Sequence, residues 1–294
     1  YFVVIVGPPV LHAVLFLIVN RNVDVTDGKA SLLSNLSRSF ASSKADLEHP
    51  QPQDASIKPS EKYIQPRNQS FGAWQILPVP NVSRLPACSG VDWVLVDCEH
   101  GNIDDGAMHD VVPAIAAVGV SPVVRLADLQ GGWSNILVPL LSTVEQTKQL
   151  VQNAKYPPQG RRGLGSLLAL ERFNPNPTLT EHLYQANDTI LIILQFETRG
   201  AFEAVEEIAA VAGIDAFFIG PFGLGNNIGH PIHKGTIGPE LLAAMENILA
   251  VAHDADKKCG IYCQDGEQAK HYASQGYDMI AVVTDYTALQ NFCQ

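Results

Sequence analysis

Nowhere in the 294 residues do Lys and Arg gather into a dense run, and 19 basic against 30 acidic residues leave a formal charge of −11. A nucleic-acid partner would need a basic surface stripe, so that class is set aside. The five cysteines, Cys88, Cys98, Cys259, Cys263 and Cys293, include no CxxC pair. CGIYC lacks a matching second pair for zinc. Reduced, mostly buried thiols are expected instead, which points to a reducing, cytoplasmic compartment. No GxGxxG follows the first apolar strand, so a dinucleotide-binding fold has no support. What is present, 46% hydrophobic and 17% charged residues, is ordinary for a globular protein with a large core.

Residues 1–20 carry no acid, Lys or Arg. They are long enough to cross a bilayer as one helix, but Gly7-Pro8-Pro9 interrupts its first half. A membrane anchor, an uncleaved signal and a mis-defined upstream segment stay open. Residues 21–70 are rich in Ser, Pro and Gln and cannot bury enough apolar area to offset their ordering entropy, so they read as a flexible linker. The folded domain is expected from Phe71 to Gln294.

From Phe71 apolar strands alternate with helical segments. Strands are expected near 71–77, 93–98, 121–126, 136–141, 189–196, 216–220, 259–263 and 278–284. Their near-continuous Val, Ile, Leu and Phe content fits strands buried on both faces. Eight such strands with intervening helices predict a (β/α)8 barrel. The helix of residues 144–156 is opened by Thr143, with Gln146 completing a capping box. Only ADLQGGWSN, residues 127–135, links the third and fourth strands, and two glycines make helix poorer still. The third helix is expected to be shortened or missing.

Catalytic groups of a parallel barrel collect at the C-terminal ends of its strands. Those ends carry Trp74 and Gln75, then Asp97, Glu99 and His100, then Arg125 and Asp128, then Gln195 and Glu197, then Gly220-Pro221-Phe222-Gly223. Asp97 and Glu99 share one side if the strand persists. Arg125 suits a carboxylate or oxyanion, or equally a neighbouring acid. Glu197 follows an apolar run where an unpaired charge is costly; a divalent cation, a helix N-terminus or Arg199 could each compensate it. The IGPFG backbone could hold a carboxylate or merely turn tightly.

FGAWQ, NVSRL, WVLVDCEHGNID, PVVR, AKYPPQGRRGLGS, QFET and FIGPFGLGNNIGHP, in this order and spacing, resemble the HpcH/HpaI aldolases. The resemblance spans Phe71 to Cys293. It implies a divalent metal, Mg²⁺, Mn²⁺ or Co²⁺, that chelates pyruvate, with Glu197 as ligand and Gln195 beside it. It implies that Arg125 holds the enolate oxygen, where negative charge grows. His100 would be the base, directly or through water, with Asp97 and Glu99 tuning that water network. The backbone of Gly220, Pro221 and Phe222 would bind the pyruvate carboxylate, and Trp74 would line the substrate site. The expected reaction is aldol cleavage of a 4-hydroxy-2-oxo acid to a small 2-oxo acid and an aldehyde, or the reverse, by a homo-oligomer and without a Schiff-base lysine. Two departures lead to an expectation of weakened activity. Gly223 stands where the family places its second metal-ligating Asp, and the 127–135 link lacks the family's helix and Asp-Ala-Gly turn. A barrel that only binds small carboxylates and a CoA-ester lyase of the citrate-lyase β type are the competing readings.

Overall fold

The computed structural model describes residues 2–6, 13–17, 69–126, 135–165 and 178–293. The chain divides into two units, Tyr1–Gln53 and Asp54–Gln294. In the first, β1 (Phe2–Val6) pairs antiparallel with β2 (Ala13–Leu17), from Phe2 opposite Leu17 to Val6 opposite Ala13. Phe2–Val6 and Ala13–Leu17 are therefore strands, not parts of the single spanning helix weighed above. Helix-breaking Gly7-Pro8-Pro9 and β-branched valines favour two strands. Among the described residues no helix is long and apolar enough to cross a membrane. The linker reading of 21–70 falls almost wholly outside the described residues.

The second unit is a closed parallel barrel of eight strands, β3 (Ser70–Gln75), β4 (Trp93–Asp97), β5 (Ser121–Arg125), β6 (Ile136–Val138), β7 (Ile192–Phe196), β8 (Ala216–Ile219), β9 (Lys258–Tyr262) and β10 (Met279–Thr284). Every strand pairs with its sequence neighbours, and β10 closes on β3. The outer helices are α1 (Pro80–Ala87), α2 (Asp105–Ala116), α3 (Val144–Ala154), α4 (Leu179–Thr189), α5 (Arg199–Glu203), α6 (Val205–Ala209), α7 (Pro221–Ile228), α8 (Pro239–Asp254), α9 (Gly266–Ser274) and α10 (Asp285–Phe292). The Thr143–Gln146 capping box opens α3 as its spelling requires. The connection from β5 to β6 runs over 126–135, of which 127–134, including Asp128, lie outside the described residues.

Alternation along each strand sorts its side chains into two cores. Trp93 and Leu95 of β4, Val123 of β5, Ile193 of β7 and Phe218 of β8 pack together inside the barrel, whereas Val94, Val96, Val124, Ile192 and Phe217 pack outward beneath the helices. Both faces are dry, which is why the strands read as unbroken apolar runs.

The N-terminal rim of the barrel is pinned by a spelling used three times, Gly90-Val91-Asp92, Gly213-Ile214-Asp215 and Gly276-Tyr277-Asp278. The glycines take φ of 90°, 93° and 98°, a region nearly closed to other residues. Each aspartate then grips one residue of the preceding strand twice. Its N–H donates to the carbonyl of Phe71, Ile192 or Cys259. Its carboxylate accepts the N–H of that same residue at 2.9, 2.8 and 2.9 Å respectively.

Several elements differ from the expectations. Residues 200–213, helical in period along their whole length, break into α5 and α6 at Ala204, whose φ of −108° and ψ of 21° lie outside the helical well. IGPFG is not only a turn: Pro221 starts helix α7. Helices α4 and α10 were not read from the sequence. All five cysteines are free, but only Cys259 and Cys263 are buried, so the expectation of mostly buried thiols is corrected.

Candidate active site

The inward parity that buries Trp93, Leu95, Val123 and Ile193 continues to the C-terminal rim, where the next inward residues are Asp97, Arg125 and Gln195. There they line a cavity of about 320 Å³ together with Trp74, His100, Glu197, Gly220, Pro221, Phe222 and Gly223. Of the strand-end residues named from the sequence, Gln75 and Glu99 do not line this cavity, Glu99 touching the Arg125 guanidinium beside it, and Asp128 lies outside the described residues.

Asp97 and Arg125 are register partners on adjacent parallel strands. Arg125 donates Nε–H to Asp97 Oδ1 at 2.8 Å and Nη2–H to Oδ2, a two-pronged ion pair with both side chains buried. Trp74 Nε1–H donates to Oδ2 at 2.9 Å, and its ring lies 4.8 Å beneath the guanidinium carbon. The backbone N–H groups of Glu99 and His100 donate to Asp97 Oδ1 at 3.1 and 3.0 Å, folding the chain back after the strand. Burial pushes the Asp97 carboxyl up, but the hydrogen bonds and charge of Arg125, with those of Trp74 and His100, hold it below the usual carboxylate range. Asp97 is thus saturated by donors. Its geometry is that of a residue that holds Arg125 in place.

The other side of Arg125 is less fully engaged. Its Nη1–H donates to Gln195 Oε1 at 3.3 Å, and Gln195 Nε2–H donates to Glu197 Oε2 at 2.9 Å. Leu140 N–H holds Glu197 Oε1 at 2.9 Å. Glu99 Oε2 lies 3.1 Å from Arg125 Nη1, yet this buried oxygen has no aligned hydrogen-bond donor. Burial raises the Glu99 carboxyl above its ordinary value, with Glu197 and Asp97 adding repulsion that Arg125 and His100 only partly offset. His100 is exposed, with Nε2 3.7 Å from Glu99 Oε2. Strand β4 ends at Asp97, so Glu99 and His100 sit on a turn rather than on opposite strand faces.

Gly220 caps α7 without any side chain on the helix N-terminus, and no acid occupies the first turn. Unspent N–H groups at such an end suit an anion. Gly223 faces Glu197 directly: an added Cβ would stand 2.8 Å from Glu197 Oε2 and 2.9 Å from its Cβ. Among the described residues no group of three or more His, Cys, Asp or Glu could hold a metal ion. The donor set supplies one carboxylate with spare lone pairs, which fits a cation completed by substrate and water, not a cage made by protein alone. Arg199 is not the charge that compensates Glu197, since it pairs with Glu203 at 3.9 Å on the outer surface.

Tyr262 and Thr284 also line the cavity, as do Ile76 and Phe218, and were missed in the sequence. Tyr262 and Thr284 end strands read there only as apolar runs, and strand position was the available signal.

A closed parallel barrel with its charged groups gathered at the C-terminal mouth has the architecture of a barrel enzyme. The family model described as HpcH/HpaI aldolase/citrate lyase matches residues 71–291, and the chain belongs to that family. It is 40% identical over 229 residues to a hydroxypyruvate/pyruvate aldolase of Deinococcus radiodurans, covering 74% of this chain and 81% of the relative. It is 34% identical to a 4-hydroxy-2-oxo-heptane-1,7-dioate aldolase of Klebsiella pneumoniae, covering 74% and 84%. Among solved structures, an HpcH/HpaI aldolase/citrate lyase family protein from Burkholderia cenocepacia superposes with a TM-score of 0.71 at 26% identity, covering 80% of this chain and 95% of that one.

Proposed function

We propose that the chain is a carbon–carbon lyase that cleaves 4-hydroxy-2-oxo acids to pyruvate, or a related 2-oxo acid, and an aldehyde, and runs the condensation in reverse. Family membership and relatives named as aldolases support this reading over the CoA-ester lyase and over a barrel that only binds carboxylates. The observation that carries it is Arg125, buried at the cavity wall with Asp97 fixing one edge and its Nη1 side turned toward Gln195 and Glu197.

In this reading the oxo-acid carboxylate takes the bare N-terminus of α7 at Gly220–Phe222, and the 2-oxo oxygen lies within reach of Arg125. Cleavage removes the proton of the 4-hydroxyl, breaks the C3–C4 bond and moves that electron pair onto the 2-oxo oxygen as an enolate. Arg125 stabilises the charge where it grows. His100 accepts the hydroxyl proton, with the Glu99 carboxyl beside it to hold the imidazole. Protonation at C3 then gives the methyl group of pyruvate. A divalent cation held by Glu197, with Gln195 steadying that carboxylate, would polarise the oxo group as a Lewis acid. Mg²⁺, Mn²⁺ and Co²⁺ are the candidates. The test is pyruvate release from 4-hydroxy-2-oxo acids with and without Mn²⁺. Metal-stimulated release is expected, and no release with any of the three metals would overturn the assignment.

A further inference from the structure

The cavity is chemically two-sided. One side carries Arg125, Gln195, Glu197 and the start of α7, where the oxo acid sits in the function proposed above, on which this inference rests. The other side is aromatic. Tyr262 meets Trp74 edge to face at 5.5 Å, and Phe222 lies 6.5 Å from Tyr262. Phe218 backs Trp74 at 5.8 Å. Among the described residues lining the cavity, Arg125 is the one guanidinium and no lysine occurs. Its strongest donors are already spent on Asp97. The Tyr262 hydroxyl, half-buried, has no hydrogen-bond partner among the described residues.

Tyr262 and Phe222 also face a second, narrow cavity of about 20 Å³, lined further by Ile232, Ile237 and Tyr272 and by Gln264 and Gln268. These two rings, with Pro221, line both cavities, so the active cavity backs onto a narrow recess of mixed apolar and amide character. We infer that Tyr262 determines the acceptor: the enzyme takes a short, uncharged aldehyde whose tail packs on Trp74, Phe222 and Tyr262, and Tyr262 blocks longer tails from the recess. An aldehyde bearing a carboxylate would bring a further negative charge beside Glu197 and Asp97, while Arg125 is engaged by Asp97 and the cation proposed on Glu197 by the oxo acid, which is costly on burial. One hydroxyl on the aldehyde would be welcome, since the Tyr262 hydroxyl is free to pair with it.

The experiment measures kcat/KM for cleavage by the full chain of 4-hydroxy-2-oxoheptanoate and of 4-hydroxy-2-oxoheptane-1,7-dioate, which differ chiefly in the terminal carboxylate. The uncharged acid is expected to be favoured at least about tenfold, the lower end of what one mismatched group costs. Equal values, or preference for the dioate, would overturn the proposal. A second arm compares neutral 4-hydroxy-2-oxo acids two methylenes apart in Tyr262→Leu and wild type. The ratio of long to short should rise by about tenfold in the variant, as a pocket gains room for added methylenes. A merely structural defect lowers both values together and leaves the ratio unchanged, and that result would also overturn the role of Tyr262. Deuterium exchange of the pyruvate methyl protons separates this failure from failure of the aldolase reading. Exchange with a wrong acceptor preference sinks only the inference; no exchange with any metal sinks both.

Discussion

The two rims of the barrel both bury charged groups, but they treat them differently. At the N-terminal rim the charges are spent largely on backbone. Lys155 Nζ donates to the carbonyls of Asn187 and Ile190, both at 2.7 Å, and Lys257 Nζ to that of Ile214 at 2.8 Å. Asp278 accepts from Cys259 N–H, Lys258 and His253, each at 2.9 Å. At the C-terminal rim the charges are held by one another, and Glu99 Oε2 is left without a hydrogen bond. The first arrangement closes a barrel. The second keeps unfilled capacity facing a cavity, and that residue of unmet demand separates a site from a seam.

Removing Arg125 should show the contrast most strongly. Arg125→Ala is expected to lower pyruvate enolisation, read as methyl-proton exchange, by about 10²–10³-fold. It also strands Asp97, so thermal unfolding should show a loss of about 3–5 kcal/mol. Arg125→Lys separates the two effects by keeping a charge without the two-pronged geometry. Exchange as fast as wild type in both variants would remove Arg125 from the chemistry.

Gly223→Asp probes the same rim by adding to it. Gly223 lies in α7 outside the left-handed region, so backbone strain is no obstacle. Its new Cβ would instead crowd Glu197, and without metal two carboxylates would face each other. Calorimetric titration with Mn²⁺ in the presence of oxalate should show affinity raised by roughly tenfold, since ligand charge count tunes such sites. The variant should melt lower than wild type without metal and recover with it. Equal affinities would place Gly223 outside the metal site.

At the opposite rim, Asp278→Ala should cost about 1–3 kcal/mol of stability by stranding the Cys259 N–H, measured by urea unfolding. The rate per folded molecule should not change. A larger loss in kcat than in stability would erase the distinction drawn between the rims.

The smallest effect concerns pH. Because Asp97 is held below the usual range, the unfolded chain takes up that proton first as acidity increases. Stability contributed by the ion pair is therefore complete above the ordinary aspartate range and lost as pH falls through it toward the folded value. Acid unfolding curves of Asp97→Asn should be flatter over that interval. Identical slopes would mean the Arg125 pair is not maintained in solution.

The barrel was legible because most of its strands are dry on both faces, so Ile192–Phe196 and Trp93–Asp97 stand out as runs that no loop would carry. The site was legible as an inventory, since a polar residue just after such a run has few reasons to be there. Pairings were less so. Asp97 was read with Glu99, its sequence neighbour, whereas its partner is Arg125, one strand away and visible only once the register is fixed. Tyr262 hid inside CGIYC because a half-buried aromatic at a strand end spells the same as a core one. Helix α7 was obscured by Gly223 and Gly225, poor helix formers. A Cβ at Gly225 would stand 2.7 Å from the His230 carbonyl oxygen and from Leu241 Cδ2, so tight packing on α8 overrides propensity there.

Leu140, which donates its N–H to Glu197, takes a φ of 58° although it is not glycine and is 60% exposed. Such a conformation costs roughly 1–2 kcal/mol for a residue with a side chain. Glycine would remove that strain and also loosen the segment that aims the N–H at the carboxylate.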